Sequence, residues 1–563
     1  MTVLVIFRFN SPDLKNGDDL KVTTWDAFGY YMYLPGTFIY NDVTELKWLD
    51  EVEKEYSLTG GFLYQANVHS NGNYVFKYLG GIAVLESPFF AVGHLIALNS
   101  SYKADGFSAP YQYSIAFGAL MYAFLGLLLL RLVLLRYFND TTVALTLLLM
   151  ALATNFIQYI AIDGGQSHAY VFPLYALILY STMKWHDRPS YFWSGVIGLT
   201  IGLATIARPT EAIMVFIPIL WGTQTKILKQ QKWTLVKENK QMLLMAILFG
   251  IIGILPQLIY WKIAAGSFIY DVGSKWFFLT PWFRVLFGFE NGWFVYTPIT
   301  IFFAVGMFYI KSFPFKKSVI VFCLLNIWIV IAWSDWKYGS TYSTRALVQS
   351  YPVLALALGG FIHSISSRKW KYVFISLGLY LVFVNFFQIN QYGKTILHSR
   401  DMNRQYYSAI YLDSDPTSLD MSLLDTDEIL PLSARSTSKD KIVFNLETPM
   451  EIVSKYDSIG FLMKEEFDSE GAKNKWLIVK AKIKSSVGMS SSFINCKIYS
   501  EHVLKEKSFR LFTPISVDGE VNDYEFTFKI PETNHPFELS VFIVPSGEYK
   551  GEVEEFVIRT VNL

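Results

Sequence analysis

Residues 111–135 read YQYSIAFGALMYAFLGLLLLRLVLL and contain a single charged side chain, Arg131. A continuous apolar stretch of this length is typical of a helix that crosses the hydrocarbon core of a bilayer. Of the 563 residues in the chain, 52% are hydrophobic and only 17% are charged, whereas soluble globular domains carry about 25% charged residues. The sequence therefore predicts a membrane protein.

Further apolar runs of similar length lie along the chain. The run Met1 to Phe9 is too short to span a bilayer and is interpreted as the end of a first helix. Together with 111–135, the runs predict a polytopic α-helical protein with about eleven transmembrane helices. The other runs lie near 141–162, 167–183, 191–207, 209–223, 242–263, 292–310, 318–334, 346–366 and 372–390.

Basic residues occupy every second connecting loop, and the positive-inside rule makes these loops cytoplasmic. The apolar run Gly80 to Leu98 would reverse this alternation if it crossed, so it is predicted to be a re-entrant or interfacial helix. Residues 10–110 then form a long first outer loop. The basic loop residues are Arg131, Arg136, Lys184, Arg188, Lys226, Lys229, Lys232, Lys237, Lys240, Lys311, Lys316, Lys317, Arg368, Lys369 and Lys371.

The composition changes after the last apolar run. Residues 1–390 are predicted to form the transmembrane domain, and residues 391–435 have the composition of a polar linker. Residues 436–563 contain short alternating runs that predict an outward-facing β-sandwich. This part resembles the jelly-roll carbohydrate-binding modules in outline, and a folding or interaction domain without a sugar site is an equal alternative.

Charge and cysteine content exclude several classes of function. The net charge is +1, and the basic residues do not form one face, so a nucleic-acid partner is not expected. Cys323 and Cys496 provide neither a disulfide framework nor a metal-binding spacing. The sequence also contains no Gly-rich phosphate loop, no GxSxG motif and no HExxH motif.

Asp26 is the one carboxylate in TTWDAFGYYMYLP, residues 23–35, within the first outer loop. An Asp before an aromatic helical segment can cap the helix, and it can also act as a general base. Partial removal from water would raise its proton affinity. Both roles remain open at this point.

Two cations lie in predicted outer segments. Lys77 precedes the interfacial helix and either extends its ammonium group among lipid headgroups or binds phosphate. Arg345 follows a loop of small residues and stands at the start of a helix, where an anion would bind favourably. The alternative for Arg345 is a structural salt bridge to Asp335.

For the other polar residues of the outer segments, the sequence favours structural roles. Arg208, between two apolar runs, is expected to pair with Glu211 or another outer acid. His168 is expected to make a polar contact, because one His with one nearby Asp is weak evidence for a metal site. The adjacent acids Asp18 and Asp19 suit a divalent cation by residue type, although such acids in a polar loop are more often solvated.

The order of these motifs resembles the GT-C superfamily of integral-membrane glycosyltransferases over residues 1–390. The similarity is to the branch that contains protein O-mannosyltransferases and the lipid A aminoarabinose transferase. The motifs are Trp25-Asp26 with Tyr30 and Tyr31, the segment from Lys77 to Pro88, GLATIARPTEA, GWFVYTP at Gly292 to Pro298, and a W-x-x-W loop from Trp333 to Arg345.

This resemblance implies a function and a set of roles. Asp26 would activate an acceptor, while Lys77 and Arg345 would bind the phosphate of a polyprenyl-linked sugar donor. The further substrate-binding candidates are Tyr30, Tyr31, His168 and Trp336. Some members use a paired-acid metal motif, but the pair Asp18-Asp19 ends seven residues before Asp26, a spacing that disfavours metal dependence.

The expected partners are a polyprenyl-phosphate sugar, an acceptor that is a lipid, a glycan or a protein, and membrane lipids. The expected location is the cytoplasmic membrane, with the β-sandwich in the periplasm. Three alternatives remain: a flippase or ligase of polyprenyl-linked saccharides, an envelope transporter, and a non-catalytic GT-C-like scaffold. A transporter would show internal repeats and polar groups near mid-membrane, whereas here the polar groups gather at one face.

Overall fold

The computed structural model describes residues 1–10, 20–430, 441–454, 460–467, 475–545 and 547–562. The chain divides into two compact units, Met1–Ile389 and Asn390–Leu563. The first unit is helical, and the second consists largely of β-strands. Asp18 and Asp19 lie outside the described residues.

The first unit consists of helices of very different lengths, together with one small hairpin. The α-helices are α1 Thr2–Phe9, α2 Asp26–Tyr31, α3 Tyr33–Phe38, α4 Leu49–Tyr56, α5 Gly81–Leu98, α6 Ala109–Leu135, α7 Asp140–Leu152, α8 Ser167–Asp187, α9 Tyr191–Ala207, α10 Phe216–Leu220, α11 Lys226–Glu238, α12 Lys240–Ala265, α13 Arg284–Phe287, α14 Trp293–Tyr296, α15 Ile301–Gly306, α16 Lys316–Ala332, α17 Tyr351–Ser364 and α18 Arg368–Gly393. The hairpin pairs β1 Ala66–Val68 with β2 Tyr74–Phe76, and 3-10 turns cover Pro209–Val215, Pro298–Thr300 and Arg345–Ser350.

Five helical segments in the described chain are long and apolar enough to cross a membrane. Shorter apolar helices occur at Asp140–Leu152, Tyr191–Ala207 and Pro209–Leu220. This is the architecture of a multi-pass membrane protein, as the hydropathy of the sequence indicates. The five long segments are Gly81–Leu98, Ala109–Leu135, Lys240–Ala265, Arg345–Ser364 and Arg368–Gly393.

Helices α9 and α12 pack through small residues. A Cβ atom added to Gly198 would lie 1.8 Å from the carbonyl oxygen of Ala246, and one added to Gly202 would lie 2.3 Å from that of Gly250. A side chain at either position would push the helices apart. Close contact between small residues is a common means of helix association in lipid, so the glycines of α9 determine how near α12 approaches.

Helix α5 runs antiparallel to the first half of α6. His94 Nδ1 lies 2.5 Å from the Tyr111 hydroxyl, and the Tyr122 hydroxyl donates to the Leu85 carbonyl at 2.9 Å. The segments before and after α5 return to the same stretch of chain, because Tyr33 donates to the carbonyl of Tyr78 and Tyr31 donates to the carbonyl of Gly106. Helix α5 is one of the five helices that are long and apolar enough to cross a membrane, and its assignment as a re-entrant or interfacial helix stays a prediction.

The second unit contains two antiparallel sheets. One sheet has the order β5-β10-β7-β8, and the other has the order β3-β11-β6-β9 with β4 paired to β11. Alternate residues of both sheets enter one hydrophobic core, which includes Val479, Ile483, Ile494 and Ile498. The strands are β3 Lys441–Asn445, β4 Met450–Ser454, β5 Gly460–Phe467, β6 Lys475–Val487, β7 Ser492–Tyr499, β8 Val503–Arg510, β9 Val521–Lys529, β10 Phe537–Pro545 and β11 Tyr549–Asn562.

The described part of the stretch with linker composition packs on these strands. It forms two short helices, α19 Arg404–Ala409 and α20 Ser418–Ser422. Asp425 accepts hydrogen bonds from the Arg510 guanidinium at 2.8 to 3.0 Å, and Leu430 packs with Trp476. Trp476 is therefore a buried packing residue in this unit.

Candidate active site

Asp26 is the first residue of α2, and its side chain makes no capping hydrogen bond to that helix. Instead, its Oδ1 atom accepts hydrogen bonds from the hydroxyls of Tyr78 at 2.6 Å and Tyr64 at 3.0 Å. Its Oδ2 atom lies 2.7 Å from Nη2 of Arg345. The carboxylate is thus held by two phenols and one guanidinium, which leaves the capping alternative without structural support.

The pairing of Asp26 with Arg345 is largely removed from water. The side chain of Asp26 is 24% exposed and that of Arg345 is 14% exposed. Arg345 also donates from Nη1 to Oε1 of Gln166 at 3.1 Å. The salt bridge that the sequence suggested with Asp335 is therefore made with Asp26 instead.

The pKa of Asp26 lies below its ordinary value of 3.8. Burial acts to raise this pKa, but the positive charge of Arg345 and the hydrogen bonds from Tyr78, Tyr64 and Arg345 together outweigh burial. The expectation from desolvation alone was the opposite direction. Asp26 is consequently ionised at neutral pH.

Two close backbone contacts position this site. A Cβ atom on Gly165 would lie 2.3 Å from the Val22 carbonyl oxygen, so the chain before Asp26 rests directly on the turn that leads into α8. A Cβ atom on Gly81 would lie 2.3 Å from the backbone nitrogen of Ala207, so the start of α5 rests on the end of α9. These contacts bring Lys77, which precedes α5, and Arg208, which follows α9, to one place.

A cavity of about 480 Å³ opens beside the carboxylate. The cavity is lined by five of the catalytic and substrate-binding candidates from the sequence: Asp26, Tyr30, Lys77, His168 and Arg345. Arg208 and Glu211 line the same cavity. Three carboxylates, Asp26, Glu211 and Asp271, and three cationic side chains, Lys77, Arg208 and Arg345, therefore share this space.

Lys77 and Arg208 are the two cations in the cavity that the protein leaves unneutralised. Among the described residues, neither side chain has an ion pair or a hydrogen bond, and both are only partly buried. Glu211, the partner that the sequence suggested for Arg208, is engaged elsewhere: its oxygens accept from the hydroxyl of Tyr175 and from Nε2 of Gln349. Unpaired cations beside an apolar wall favour binding of an anion.

A buried chain of hydrogen bonds orients His168. Gln349 donates from Nε2 to Glu211 at 3.1 Å, so its Oε1 atom faces Nδ1 of His168 at 2.8 Å. Because that oxygen can only accept, Nδ1 of His168 carries the proton. In the neutral ring, Nε2 is then an acceptor for a hydroxyl or amine in the cavity.

The structure places two of the proposed substrate-binding residues away from the cavity. Tyr31 is fully buried and donates to the Gly106 carbonyl at 2.5 Å. It follows Tyr30 on a helix, where consecutive side chains point in different directions, so only Tyr30 faces the cavity. Trp336 stacks with the guanidinium of Arg284, which lies 4.8 Å from the ring centre.

Sequence reasoning expected Arg208 to pair with Glu211 or another outer acid, whereas the structure places Arg208 in the cavity without that pairing. The only signal for Arg208 was a charge at the end of an apolar run, in GLATIARPTEA. Pairing with Glu211 was the natural inference, since the sequence does not show that Tyr175 and Gln349 occupy that carboxylate. Within the described residues, no three His, Cys, Asp or Glu side chains are grouped so as to hold a metal ion.

Comparison with known proteins finds similarity at the level of structure. No protein-family model matches the chain, and no curated protein matches its sequence. ArnT from Cupriavidus metallidurans, solved bound to undecaprenyl phosphate, is 12% identical with a TM-score of 0.40, over 60% of this chain and 61% of ArnT.

Two structures of the oligosaccharyltransferase from Archaeoglobus fulgidus are also similar. The apo form is 12% identical with a TM-score of 0.38, over 72% of this chain and 56% of that one. AglB in complex with an inhibitory peptide and a dolichol-phosphate is 12% identical with a TM-score of 0.34, over 61% of this chain and 50% of AglB. The chain thus spans between half and about three fifths of the length of these proteins. Similarity at this level assigns no residue roles to this chain.

Proposed function

We propose that the protein is a membrane glycosyltransferase that moves a sugar from a polyprenyl-phosphate donor to an acceptor at the outer face of the cytoplasmic membrane. The observation that carries the proposal is the shared cavity, which combines an ionised carboxylate with three cationic side chains. A base and a phosphate-binding set are the two requirements for displacing a phosphate from a sugar by a hydroxyl.

In the proposed reaction, an acceptor oxygen attacks the anomeric carbon of the sugar. The bond between that carbon and the phosphate oxygen breaks, and its electron pair stays on the phosphate. The proton of the acceptor passes to Asp26, which is ionised and can receive it. Lys77, Arg208 and Arg345 stabilise the negative charge that develops on the leaving phosphate.

Arg345 has two tasks in this scheme. It holds Asp26 through Nη2, which fixes the carboxylate in one position, and its positive charge adds to the field of the cavity. Lys77 and Arg208 are free of protein partners among the described residues and therefore bear the main contact with phosphate. Tyr30 and His168 offer a ring and an acceptor nitrogen to the sugar.

The proposal includes the orientation inferred from the charged loops. The basic loops face the cytoplasm, the cavity and the β-strand unit face the periplasm, and about eleven spans connect them. A donor with a long lipid tail explains why the site would lie at the membrane surface.

The test is transfer by purified protein from labelled polyprenyl-phosphate sugars to candidate acceptors. Asp26→Asn keeps the shape of the side chain but removes the base, so we expect loss of transfer with retained binding of the donor. Asp50→Asn, an exposed Asp in the same outer segment, is the matched control and should retain full activity. Full transfer by Asp26→Asn would refute the assignment, and donor movement across the membrane without transfer would favour a flippase.

A further inference from the structure

The second unit carries an exposed apolar loop, residues 511–517, with the sequence LFTPISV. Leu511 is buried in the core, while Phe512 is 50% exposed, Ile515 41% and Val517 49%. The neighbouring side chains of Val487 and Val521 are exposed as well. Contiguous apolar side chains at the surface of a β-sandwich mark a contact surface.

The polar side chains of this loop are hydrogen-bonded within it, and Asn522 bonds its backbone at Val517. Thr513 and Ser516 share a hydrogen bond between their hydroxyls at 2.7 Å, and the Ser516 hydroxyl donates to the Leu511 carbonyl at 3.1 Å. The side chain of Asn522 accepts from the Val517 backbone N–H at 2.7 Å and donates to its carbonyl at 2.8 Å. The loop thus presents apolar side chains between polar side chains that are hydrogen-bonded to one another, to the loop backbone and to Asn522.

The loop lies next to the end of the last apolar helix. Helix α18 ends at Gly393, and the hydroxyl of Thr395, two residues later, donates to the Pro514 carbonyl at 3.2 Å. Residues 390–395 and the loop belong to the same compact unit. Because α18 is long and apolar enough to cross a membrane, its end marks the bilayer surface within this unit.

We propose that residues 511–517 dock into the outer lipid leaflet, with Phe512, Ile515 and Val517 among the headgroups and upper acyl chains. The contact is apolar: residues 511–521 contain no Lys or Arg, and Asp518 and Glu520 follow directly. The loop therefore enters the bilayer only shallowly and does not depend on anionic lipid. This inference is independent of the proposed enzymatic activity.

The test uses the full chain in lipid nanodiscs. Ile515→Cys and Val517→Cys would each carry an environment-sensitive fluorophore, and the lipid would carry a nitroxide quencher just below the headgroup. The native thiols do not interfere, because Cys323 and Cys496 are buried. We expect a loss of fluorescence with quencher lipid at both positions, equal in low and high salt and in zwitterionic and anionic bilayers.

Tyr499→Cys is the matched control. Tyr499 is similarly exposed, but it lies at the opposite end of β7 from Ser492, whose carbonyl contacts Leu511, about 23 Å along the strand. Its label should not be quenched. Absence of quenching at both loop positions would overturn the proposal, as would quenching only in anionic lipid at low salt. Energy transfer between labels on two copies, without lipid quenching, would assign the loop to a second copy of the chain.

Discussion

Asp26 accepts hydrogen bonds from one guanidinium and two phenolic hydroxyls, and these contacts keep its carboxylate ionised. Removing Arg345 removes the largest influence that lowers its pKa, while burial, which raises the pKa, remains. The native carboxylate stays ionised, and its contribution to stability persists, until the pH falls below about 4. The pair is also a structural element, and breaking a buried pair costs about 3 kcal/mol or more.

We therefore predict that Arg345→Gln moves the acid side of the pH–rate profile to higher pH. Under the proposed function, the native protein should keep its transfer rate as the pH falls from 7 to about 4, whereas the variant should lose its residual rate earlier, as Asp26 becomes protonated. Arg345→Lys retains the positive charge and serves as the control. An unchanged acid limb in Arg345→Gln would show that Arg345 does not control Asp26.

Lys77 and Arg208 have no protein partner among the described residues, so they are available to a ligand. We predict that Arg208→Gln raises KM for the donor by about tenfold or more, because a hydrogen bond to a charged group is worth about 1.5 to 3 kcal/mol. The melting temperature should change little. Arg284→Gln, which alters an arginine outside the cavity, is the control, and an equal rise in KM in both variants would contradict a phosphate role for Arg208.

At this scale the sequence predicts residue types better than partners. Aromatic neighbours and outer position single out Asp26, and small residues before a helix single out Arg345. The contact between them joins residues far apart in the chain, so neither local spacing nor hydropathy reveals it. The same limit explains why Arg208 was paired with the nearby Glu211, although the fold directs Glu211 to Tyr175.

Among the elements, the α9–α12 interface leaves the least space for a side chain larger than glycine. We predict that Gly198→Leu lowers the free energy of unfolding by about 1 to 3 kcal/mol, the usual cost of overpacking, because its Cβ would overlap the Ala246 carbonyl. Thermal unfolding in detergent would measure the change. Gly195→Ala is the matched control, since its Cβ would lie 3.6 Å from the Phe249 ring; equal melting temperatures for both variants would contradict this account.

Hydropathy predicts where helices occur, but it does not predict how regular they are. The runs near 111–135 and 242–263 become the continuous helices α6 and α12. The run near 292–310 instead becomes the short helices α14 and α15 with a 3-10 turn at Pro298–Thr300. Proline has no backbone N–H to donate and restricts the residue before it, so an apolar composition is compatible with a broken helix.

For the molecule as a whole, the charged loops predict opposite locations for α11 and the β-strand unit. We predict that Lys229→Cys in α11 and Glu520→Cys in the second unit react with a membrane-impermeant thiol reagent from opposite sides. In spheroplasts, Glu520→Cys should be labelled at once, and Lys229→Cys only after lysis. Both positions are exposed, so labelling of both from one side would contradict the topology.

The second unit was predictable as β-structure because its runs alternate with a period of two. Most strand neighbours were not predictable, since β10 pairs with β5 and with β7, both distant from it in sequence. Polar composition also indicated only a linker for residues 391–435. The salt bridge of Asp425 with Arg510, which ties part of that stretch to the strands, depends on the folded sheet.

The bond between Asp26 and Arg345 has a consequence for biosynthesis. Its two residues are 319 positions apart, and at a ribosomal rate of about 5 to 20 residues per second the guanidinium is made between about 16 and 64 s after the carboxylate. Until then the nascent protein holds an acid whose counter-ion does not yet exist. This ion pair of the candidate site can close only after most of the helices have left the translocation machinery, so an arrested or truncated product that ends before Arg345 lacks it.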